Sequence, residues 1–260
     1  MLIDTHAHIH FEEYQEDLDI IFDNARTSGI KAIITVGTDD SSSKNALEFC
    51  FHNQPKSIDL YASAGLHPHD AHLAADKLLG IKELAMDGGY GQKLVAIGEC
   101  GLDYYKSYSG KRDQYSALEF QIELALQMGL PLIFHVRDAW DDFFAVLANY
   151  KGVRGVIHSF TGFPKQVEQA NEYGLYFGIN GIATFTKIDS QLDAYRIIPR
   201  DKLLLETDCP FLSPQPMRGK RNEPANLKYV ASFLAKFLDQ ESAELQNRTS
   251  TNAKTLFGLE

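Results

Sequence analysis

Residues 132–158 read LIFHVRDAWDDFFAVLANYKGVRGVIH, and the first structural prediction rests on this segment. It begins with the short apolar run Leu132–Phe134 and ends with a second one, Gly155–Ile157. Both runs are short and bounded by turn or polar residues, so each is expected to form a buried strand. The intervening residues 139–149 fit a helix. Strand, helix and strand in this order predict two parallel strands joined by a helical connection.

The same alternation recurs along the whole chain. Six further apolar runs are predicted as strands: Leu2–Asp4, Ala32–Val36, Leu60–Ala64, Leu94–Ile97, Tyr176–Ile179 and Leu203–Leu205. The remaining helices are predicted at 16–28, 41–52, 71–87, 114–128, 164–173 and 189–198, with a helical tail after Pro224. Eight such strands in 260 residues predict an α/β fold, a single (β/α)8 TIM-type barrel over residues 1–260. An open doubly wound sheet is the alternative.

Charge, cysteine content and the apolar runs indicate which binding partners and which cellular compartment to expect. The net charge of -10 argues against a basic groove for nucleic acid, although bound metal ions would add local positive charge. The cysteines Cys50, Cys100 and Cys209 form no CxxC motif, which favours a reduced chain. The N-terminal MLIDTHAHIH lacks the regions of a secretory signal, and no apolar run approaches ~18 residues. A cytoplasmic protein without membrane association is expected.

Residues able to bind metal follow five of the eight predicted strands. They are His6 and His8 after the first run, Glu99 after the fourth, His135 after the fifth, His158 after the sixth and Asp208 after the eighth. In a barrel the C-terminal ends of all strands lie on one face, where barrel enzymes place their active sites. The sequence therefore predicts a metal centre at that face, built from these six residues.

The spacing and chemistry of these residues predict their roles. His6 and His8 are two residues apart, so in a strand both imidazoles point to the same side and can share one ion. Glu99 is expected to bridge two divalent ions, which together can activate a shared hydroxide. Asp208 is expected to bind the first ion and to take the proton of the attacking water. Glu99 and Asp208 are thus the predicted catalytic residues. His135 and His158 are expected to bind the second ion together with Glu99.

Three further residues, His67, Arg137 and Arg221, are predicted to bind substrate. His67 follows the third predicted strand and faces the same end of the barrel. Both arginines lie in loops at that end, and the forked donors of a guanidinium suit a phosphate. The alternative for each arginine is a salt bridge that braces its loop, for Arg137 with Asp103 or Asp138.

Two interpretations stay open for Glu206 and for a group of tyrosines. Glu206 precedes Asp208 by two residues. It either contacts a metal ion or orients a metal ligand, or it is a buried carboxylate paired inside the barrel. Tyr104, Tyr105 and Tyr108 lie on one loop, where they either stack bases or pack the loop.

Seven motifs, in order along the chain, carry a resemblance to a known family. They are DTHAH at 4–8, GLHPH at 65–69, IGECGLD at 97–103, FHVR at 134–137, HSFTG at 158–162, LLETDCP at 204–210 and RNEP at 221–224. Together they resemble the TatD family of metal-dependent deoxyribonucleases, within the amidohydrolase-like barrels. The resemblance implies a TIM-type barrel, two divalent ions at the six positions named above, Mg²⁺ as the working ion, and hydrolysis of DNA phosphodiester bonds. The family commonly has an acidic residue where His10 stands, which bears on local electrostatics and metal preference.

The leading hypothesis is therefore a 3′-5′ exonuclease that acts on single-stranded or frayed DNA, with DNA as substrate and no obligate protein partner. The imidazole ligands also suit Zn²⁺ or Mn²⁺. One alternative is an amidohydrolase-type hydrolase of a small-molecule amide or ester. Such barrels often carry a modified lysine where Glu99 stands, so Glu99 favours phosphoester chemistry. The remote alternative is a non-catalytic binding protein on the same barrel.

Overall fold

The computed structural model describes residues 1–106 and 108–259, and its strands form one parallel sheet in sequential order, β1 to β8. The strands are β1 (Leu2–Ala7), β2 (Ile30–Val36), β3 (Asp59–Ala64), β4 (Leu94–Asp103), β5 (Leu132–Arg137), β6 (Gly155–Ile157), β7 (Tyr176–Ile179) and β8 (Leu203–Leu205). Each strand pairs in parallel with the next one along the chain. A doubly wound sheet would not keep this order. The predicted TIM-type barrel is confirmed.

Helices connect the strands on the outside of the barrel. They are α1 (Leu18–Thr27), α2 (Asp40–His52), α3 (Ala74–Met86), α4 (Lys111–Met128), α5 (Trp140–Leu147), α6 (Pro164–Glu172), α7 (Asp189–Ile197), α8 (Leu227–Phe237) and α9 (Ser242–Phe257). Local signals set their ends: the Asp39 carboxylate caps α2 by accepting the Ser42 N–H at 2.7 Å, and α4 ends at Gly129 with a φ of 66°. Among the described residues, no helix is both long enough and apolar enough to cross a bilayer.

The barrel closes where the C-terminal end of β1 meets the residues that follow β8. The N–H of His8 donates to the carbonyl of Cys209 at 2.8 Å, and the N–H of Asp208 donates to the carbonyl of His6 at 2.8 Å. These bonds continue the parallel pairing beyond β8. Barrel closure therefore places three of the predicted metal ligands side by side.

The barrel interior is apolar near the N-terminal ends of the strands and polar near their C-terminal ends. The apolar part contains Ile3, Ile34, Val95, Ile133, Val156 and Leu204, packed against Leu256 and Phe257 of α9. Two residues beyond Ile133, Val156 and Leu204 stand His135, His158 and Glu206. Side chains two apart on a strand point to the same face, so the inward row becomes polar at this level. Because α9 covers the apolar end, the polar groups collect at the opposite, open end.

Three strands, β1, β4 and β5, continue beyond their predicted C-terminal ends. The prediction ended β4 and β5 at the last residue of an apolar run, whereas β4 continues to Asp103 and β5 to Arg137. Glu99 and His135 consequently lie within strands rather than after them. The apolar pattern stops earlier because these inward positions face the polar centre. At Gly101 a Cβ would collide with the carbonyl oxygen of His135, so glycine lets β4 and β5 approach closely beside the centre.

Candidate metal centre

The six predicted metal ligands converge at the C-terminal ends of the strands. His6 is fully buried there, and the other five line a cavity of about 580 Å³. This volume lies within the range of about 300–1,000 Å³ that is typical of small-molecule sites. The structure thus brings together every residue for which the sequence predicts metal binding.

Glu99 lies between two sets of side chains. Its Oε1 lies 2.8 Å from Nδ1 of His135 and 3.0 Å from Nε2 of His158. Its Oε2 lies 3.4 Å from Nε2 of His6. Burial by itself raises the pKa of the Glu99 carboxyl, but the imidazoles of His158 and His67 hold that pKa well below its usual range. Glu99 is therefore ionised, with one oxygen toward each set.

His8 and Asp208 form the part of the centre next to β1. Oδ1 of Asp208 lies 3.5 Å from Nε2 of His8 and 3.6 Å from Nε2 of His6. Nδ1 of His8 lies 2.8 Å from the carbonyl oxygen of Val36, which fixes the proton on Nδ1. In the neutral ring Nε2 then keeps its lone pair, the state in which a histidine binds metal.

The charges on this part of the centre are linked. Burial alone raises the pKa of Asp208, but the hydrogen bond from His8 and the nearby imidazoles bring that pKa below its usual value. Burial alone lowers the pKa of His8, but Asp208, Glu99 and the carbonyl of Val36 together raise it above its usual value. Burial and the neighbouring His158 lower the pKa of His6. The neutral His6 is ready to bind a cation, whereas His8 releases a proton when it does so.

Asp103 orients the histidine on the other part of the centre. Its Oδ2 lies 3.0 Å from Nε2 of His135 and 2.9 Å from Nε2 of His69. With Nε2 of His135 donating to Asp103, Nδ1 is the nitrogen that faces Glu99 and can bind a metal ion. From the sequence, Asp103 was expected only as a possible partner of Arg137. Its even spacing from Glu99 along β4 is the signal that could have found it.

Glu206 is fully buried next to His158. Its Oε1 accepts the N–H of Ser159 at 2.6 Å and lies 3.5 Å from Nδ1 of His158. Gly178 makes room for it, because a Cβ there would collide with Oε2. Among the described residues no lysine or arginine forms an ion pair with Glu206. The contacts therefore favour a role at the metal centre, either as a metal contact with His6 and His158 or as an orienting group for His158, over a buried ion pair with a lysine or arginine.

Asp4 is a second carboxylate that the sequence analysis did not single out. Its Oδ1 accepts the N–H of Thr207 at 2.9 Å and its Oδ2 accepts the Thr207 hydroxyl at 2.6 Å. Burial raises the pKa of Asp4 to about 7. Through Thr207, Asp4 ties β1 to the residue just before Asp208. Asp4 lies two residues before His6, as His8 lies two residues after it, so all three would share one side of a regular strand. This spacing could have identified Asp4 from the sequence.

Unsatisfied polar atoms fit a cation at this centre. Both ring nitrogens of His6 are buried and lack a hydrogen-bond partner among the described residues, although buried polar atoms normally have one. Three sets of side chains bring their ligand atoms within 4.8 Å of one another: His6, His8 and Glu99; His6, His158 and Glu206; His67, Glu99 and His135. Imidazoles with carboxylates form a donor set for divalent ions such as Zn²⁺ or Mn²⁺. The residues present therefore fit a metal centre.

His67 also reaches the centre, but its hydrogen bonds differ from those of His8. Its Nε2 lies 3.3 Å from Oε1 of Glu99, and its Nδ1 accepts the N–H of His69 at 3.1 Å. Burial lowers the pKa of His67 to about 4, so the ring is neutral and carries its proton on Nε2. That proton faces Oε1 of Glu99, and both residues line the cavity. These contacts are compatible with substrate binding, which stays a prediction.

The two predicted phosphate-binding arginines have different surroundings. Arg137 lines the cavity, and its guanidinium stacks over the ring of Tyr105 at 3.7 Å. Arg221 is not part of the cavity wall; its guanidinium lies 2.5 Å from Asp17 and also donates to the carbonyl of Glu13. The structure gives Arg221 the loop-bracing contacts that were the alternative, and its part in substrate binding stays a prediction.

The three tyrosines of the loop after β4 also differ. The hydroxyl of Tyr104 donates to Asp142 at 2.7 Å, so this residue packs the loop. Tyr105 and Tyr108 are exposed, and the ring of Tyr108 meets His69 edge-on at 4.9 Å. Base stacking stays a prediction for these two.

His10 takes no part in the centre. Its ring nitrogens lie 2.7 Å from the hydroxyl of Thr35 and 3.0 Å from the hydroxyl of Ser42. Burial lowers its pKa to about 3, so the ring is neutral. Because the ring of His10 is neutral, it adds no charge to the centre, and the negative charge there comes from the carboxylates.

Comparisons with known proteins point to one family. The family model described as TatD related DNase matches residues 3–258. The chain is 38% identical over 263 residues to YabD of Bacillus subtilis (strain 168), named as an uncharacterized metal-dependent hydrolase, with 100% of both proteins covered. It is 31% identical to the 3′-5′ ssDNA/RNA exonuclease TatD of Klebsiella pneumoniae (strain 342), over 100% of this chain and 98% of that protein.

A solved structure agrees with the sequence relatives. The crystal structure of YjjV, a TatD homologue from Escherichia coli K12, matches with a TM-score of 0.91 at 27% identity. The match covers 100% of this chain and 98% of that one. The family model and the relatives both span nearly the full length. The chain therefore belongs to the TatD family of metal-dependent hydrolases.

Proposed function

We propose that this hydrolase is a 3′-5′ exonuclease that removes nucleotides from single-stranded or frayed DNA with two divalent ions, Mg²⁺ being the working ion. The observation that carries the proposal is the position of Glu99 between two sets of ligands. A carboxylate with one oxygen toward each set suits a pair of ions, and paired ions are common in enzymes that cleave phosphate esters. The relative named as an ssDNA/RNA exonuclease supports the substrate class.

The two sets divide as follows. One ion would be held by His6, His8, Asp208 and Oε2 of Glu99, and the other by His135, His158 and Oε1 of Glu99. Bound there, divalent ions supply an activated water nucleophile and stabilise the attacking and leaving oxygens of the phosphate. Asp103 and Glu206 hold the histidines of the second set in orientation.

Asp208 would act as the general base. Its carboxylate is ionised and reaches the cavity wall, and only 9% of the residue is exposed to bulk solvent. In that position it accepts a proton from the attacking water. A general base contributes about 10²–10⁴-fold to a rate.

His67 and Arg137 would bind the phosphate oxygens. His67 lines the cavity beside Glu99, and among the described residues no carboxylate forms an ion pair with the exposed guanidinium of Arg137. Stacking on Tyr105 fixes the plane of that guanidinium without consuming its donors. Arg137 is thus the cationic donor that the cavity offers to a phosphate.

Replacing Arg137 by alanine is expected to raise the Michaelis constant for a DNA oligonucleotide about 10-fold or more, because a hydrogen bond to a charged group is worth about 1.5–3 kcal/mol. Arg221→Ala is the comparison: its guanidinium is already held by Asp17, so a smaller rise in the Michaelis constant and a small loss of stability are expected. Steady-state kinetics and thermal melting of both variants measure this. A larger kinetic effect in Arg221→Ala than in Arg137→Ala would reverse the assignment.

The experiment that tests the proposed function uses single-stranded DNA and RNA oligonucleotides labelled at either end. Chelator-stripped protein receives Mg²⁺, Mn²⁺ or Zn²⁺, and the products are separated by length. Metal-dependent loss of the 3′ label as mononucleotides, with a ladder of shortened 5′-labelled products, is the expected result. If a protein shown to bind two ions cleaves no oligonucleotide, the proposal is wrong and a small-molecule amide or ester becomes the better candidate.

A further inference from the structure

An apolar surface lines one side of the same cavity; we call it the apolar shelf. It consists of Phe11, Ile182, Phe211 and Leu212, from the loops after β1, β7 and β8. The ring of Phe11 stacks on His8 with centroids 4.8 Å apart, and the ring of Phe211 meets His8 edge-on at 6.1 Å. The shelf therefore begins directly beside the proposed metal ligands.

Phe211 is 52% exposed, yet its backbone is firmly held. Its N–H donates to the carbonyl of Asp208 at 2.9 Å, and its carbonyl accepts the side-chain amide of Asn222, which is fully buried, at 2.7 Å. Beside it, a Cβ on Gly181 would collide with the carbonyl of Leu212, so the two loops of the shelf pack closely. Apolar side chains that cluster in a cavity mark a binding surface, and a fixed surface binds with a smaller loss of entropy.

The side of the cavity opposite the apolar shelf carries a positive charge. Arg137 is the last residue of β5, which the sequential strand order places across the barrel from β8 and β1. The cavity therefore presents a cation on one side, an uncharged aromatic surface on the other, and the carboxylate and imidazole centre between them. A nucleotide has the matching parts, since its phosphate is anionic and its base is planar and uncharged.

We infer that the apolar shelf stacks the unpaired base of a nucleotide that flanks the scissile phosphate; this inference rests on the proposed nuclease function. Stacking of one base on an aromatic side chain strengthens binding roughly 5- to 150-fold and tolerates every base, because each has a π-face. A paired base must first leave its own stack and partner before it can reach the shelf. The shelf thereby selects single strands and frayed ends over intact duplex.

The test compares kcat/KM on single-stranded five-nucleotide DNAs that are intact or carry an abasic residue at the 3′-terminal or the penultimate position. The wild-type protein is expected to cut at least one abasic substrate about 10-fold more slowly than the intact one. Phe211→Ala is expected to cut the intact substrate at that same reduced rate and to show no further loss with the abasic one. Phe211→Leu, which keeps apolar volume but lacks a ring, should resemble Phe211→Ala. Phe51→Ala, at a phenylalanine that is 56% exposed on α2, is the matched control and should resemble wild type.

A second readout does not depend on turnover. A phosphorothioate oligonucleotide with 2-aminopurine at the sensitive position is expected to lose fluorescence on binding to wild type, but not on binding to Phe211→Ala. Equal cleavage of intact and abasic substrates by wild type, or equal quenching by both proteins, would show that the shelf does not bind a base while leaving the nuclease function intact. A protein that cleaves no oligonucleotide would contradict the nuclease function instead, and the fluorescence measurement would still test the shelf.

Discussion

A Glu99→Gln variant is expected to bind divalent ions at least about 100-fold more weakly than wild type and to lose detectable hydrolysis. Groups that only support a metal ligand already change affinity by about 10–100-fold, and Glu99 itself faces both sets of ligands. Glutamine keeps the shape of the side chain but removes the charge and one acceptor oxygen. Equilibrium dialysis with Mn²⁺ and an end-labelled oligonucleotide assay measure the two effects.

The fold of this variant should survive, because the replacement is isosteric and leaves no cavity. Thermal melting of the metal-stripped proteins is expected to differ by only a few degrees. Glu123→Gln, at an exposed position on α4, is the matched control and should behave as wild type. A Glu99→Gln protein that keeps a near-normal rate with added metal would show that this carboxylate does not join two ions.

An Asp208→Asn variant is expected to lose about 10²–10⁴-fold in kcat, the usual contribution of a general base. Its metal affinity should fall less than that of Glu99→Gln, because Asp208 faces only the histidines of one set. Titration of Mn²⁺ alongside single-turnover kinetics separates these two effects.

Chemical rescue distinguishes a base from a ligand at this position. Added formate is expected to restore part of the rate of Asp208→Ala, since a free carboxylate can accept the proton in place of the lost one. Asp201→Asn, at an exposed residue before β8, serves as the control. If kcat of Asp208→Asn stays within a few-fold of wild type at saturating metal, Asp208 is not the base.

The positions of the metal-binding residues could be predicted because two simple rules apply to them. The ends of parallel strands meet at one face of a barrel, and alternate residues of a strand share a side. His6 and His8 satisfy both rules, and His135 and His158 continue the inward row of Ile133 and Val156. These residues therefore converge in the structure as expected.

Other features depend on contacts that a sequence pattern does not contain. The length of β4 escaped prediction because its inward positions turn polar where they face the centre, so the apolar run ends before the strand does. The nitrogen of His67 that carries the proton is set by a hydrogen bond from the N–H of His69. The position of the Arg221 guanidinium is set by Asp17, which is distant in the sequence. The orienting carboxylates are an intermediate case, because Asp103 lies at an even spacing from Glu99 and could have been found.

The residues that stabilise the barrel and the residues of the site lie at opposite ends of the barrel axis. Apolar side chains from the strands and α9 fill one end, while the polar ends of the same inward rows form the site. Imidazoles and carboxylates at that level are costly to bury without a counter-ion, as the unpartnered nitrogens of His6 indicate. A bound cation would satisfy these groups, so added metal is also expected to raise the melting temperature.

The central claim is that Glu99 joins two metal ions, and electron paramagnetic resonance of the Mn²⁺-loaded protein tests it most directly. Two manganese ions that share a carboxylate interact magnetically, so the account predicts two ions per chain and an exchange-coupled spectrum that disappears in Glu99→Gln. A single ion per chain, or the six-line spectrum of isolated Mn²⁺ at full occupancy, would contradict the account.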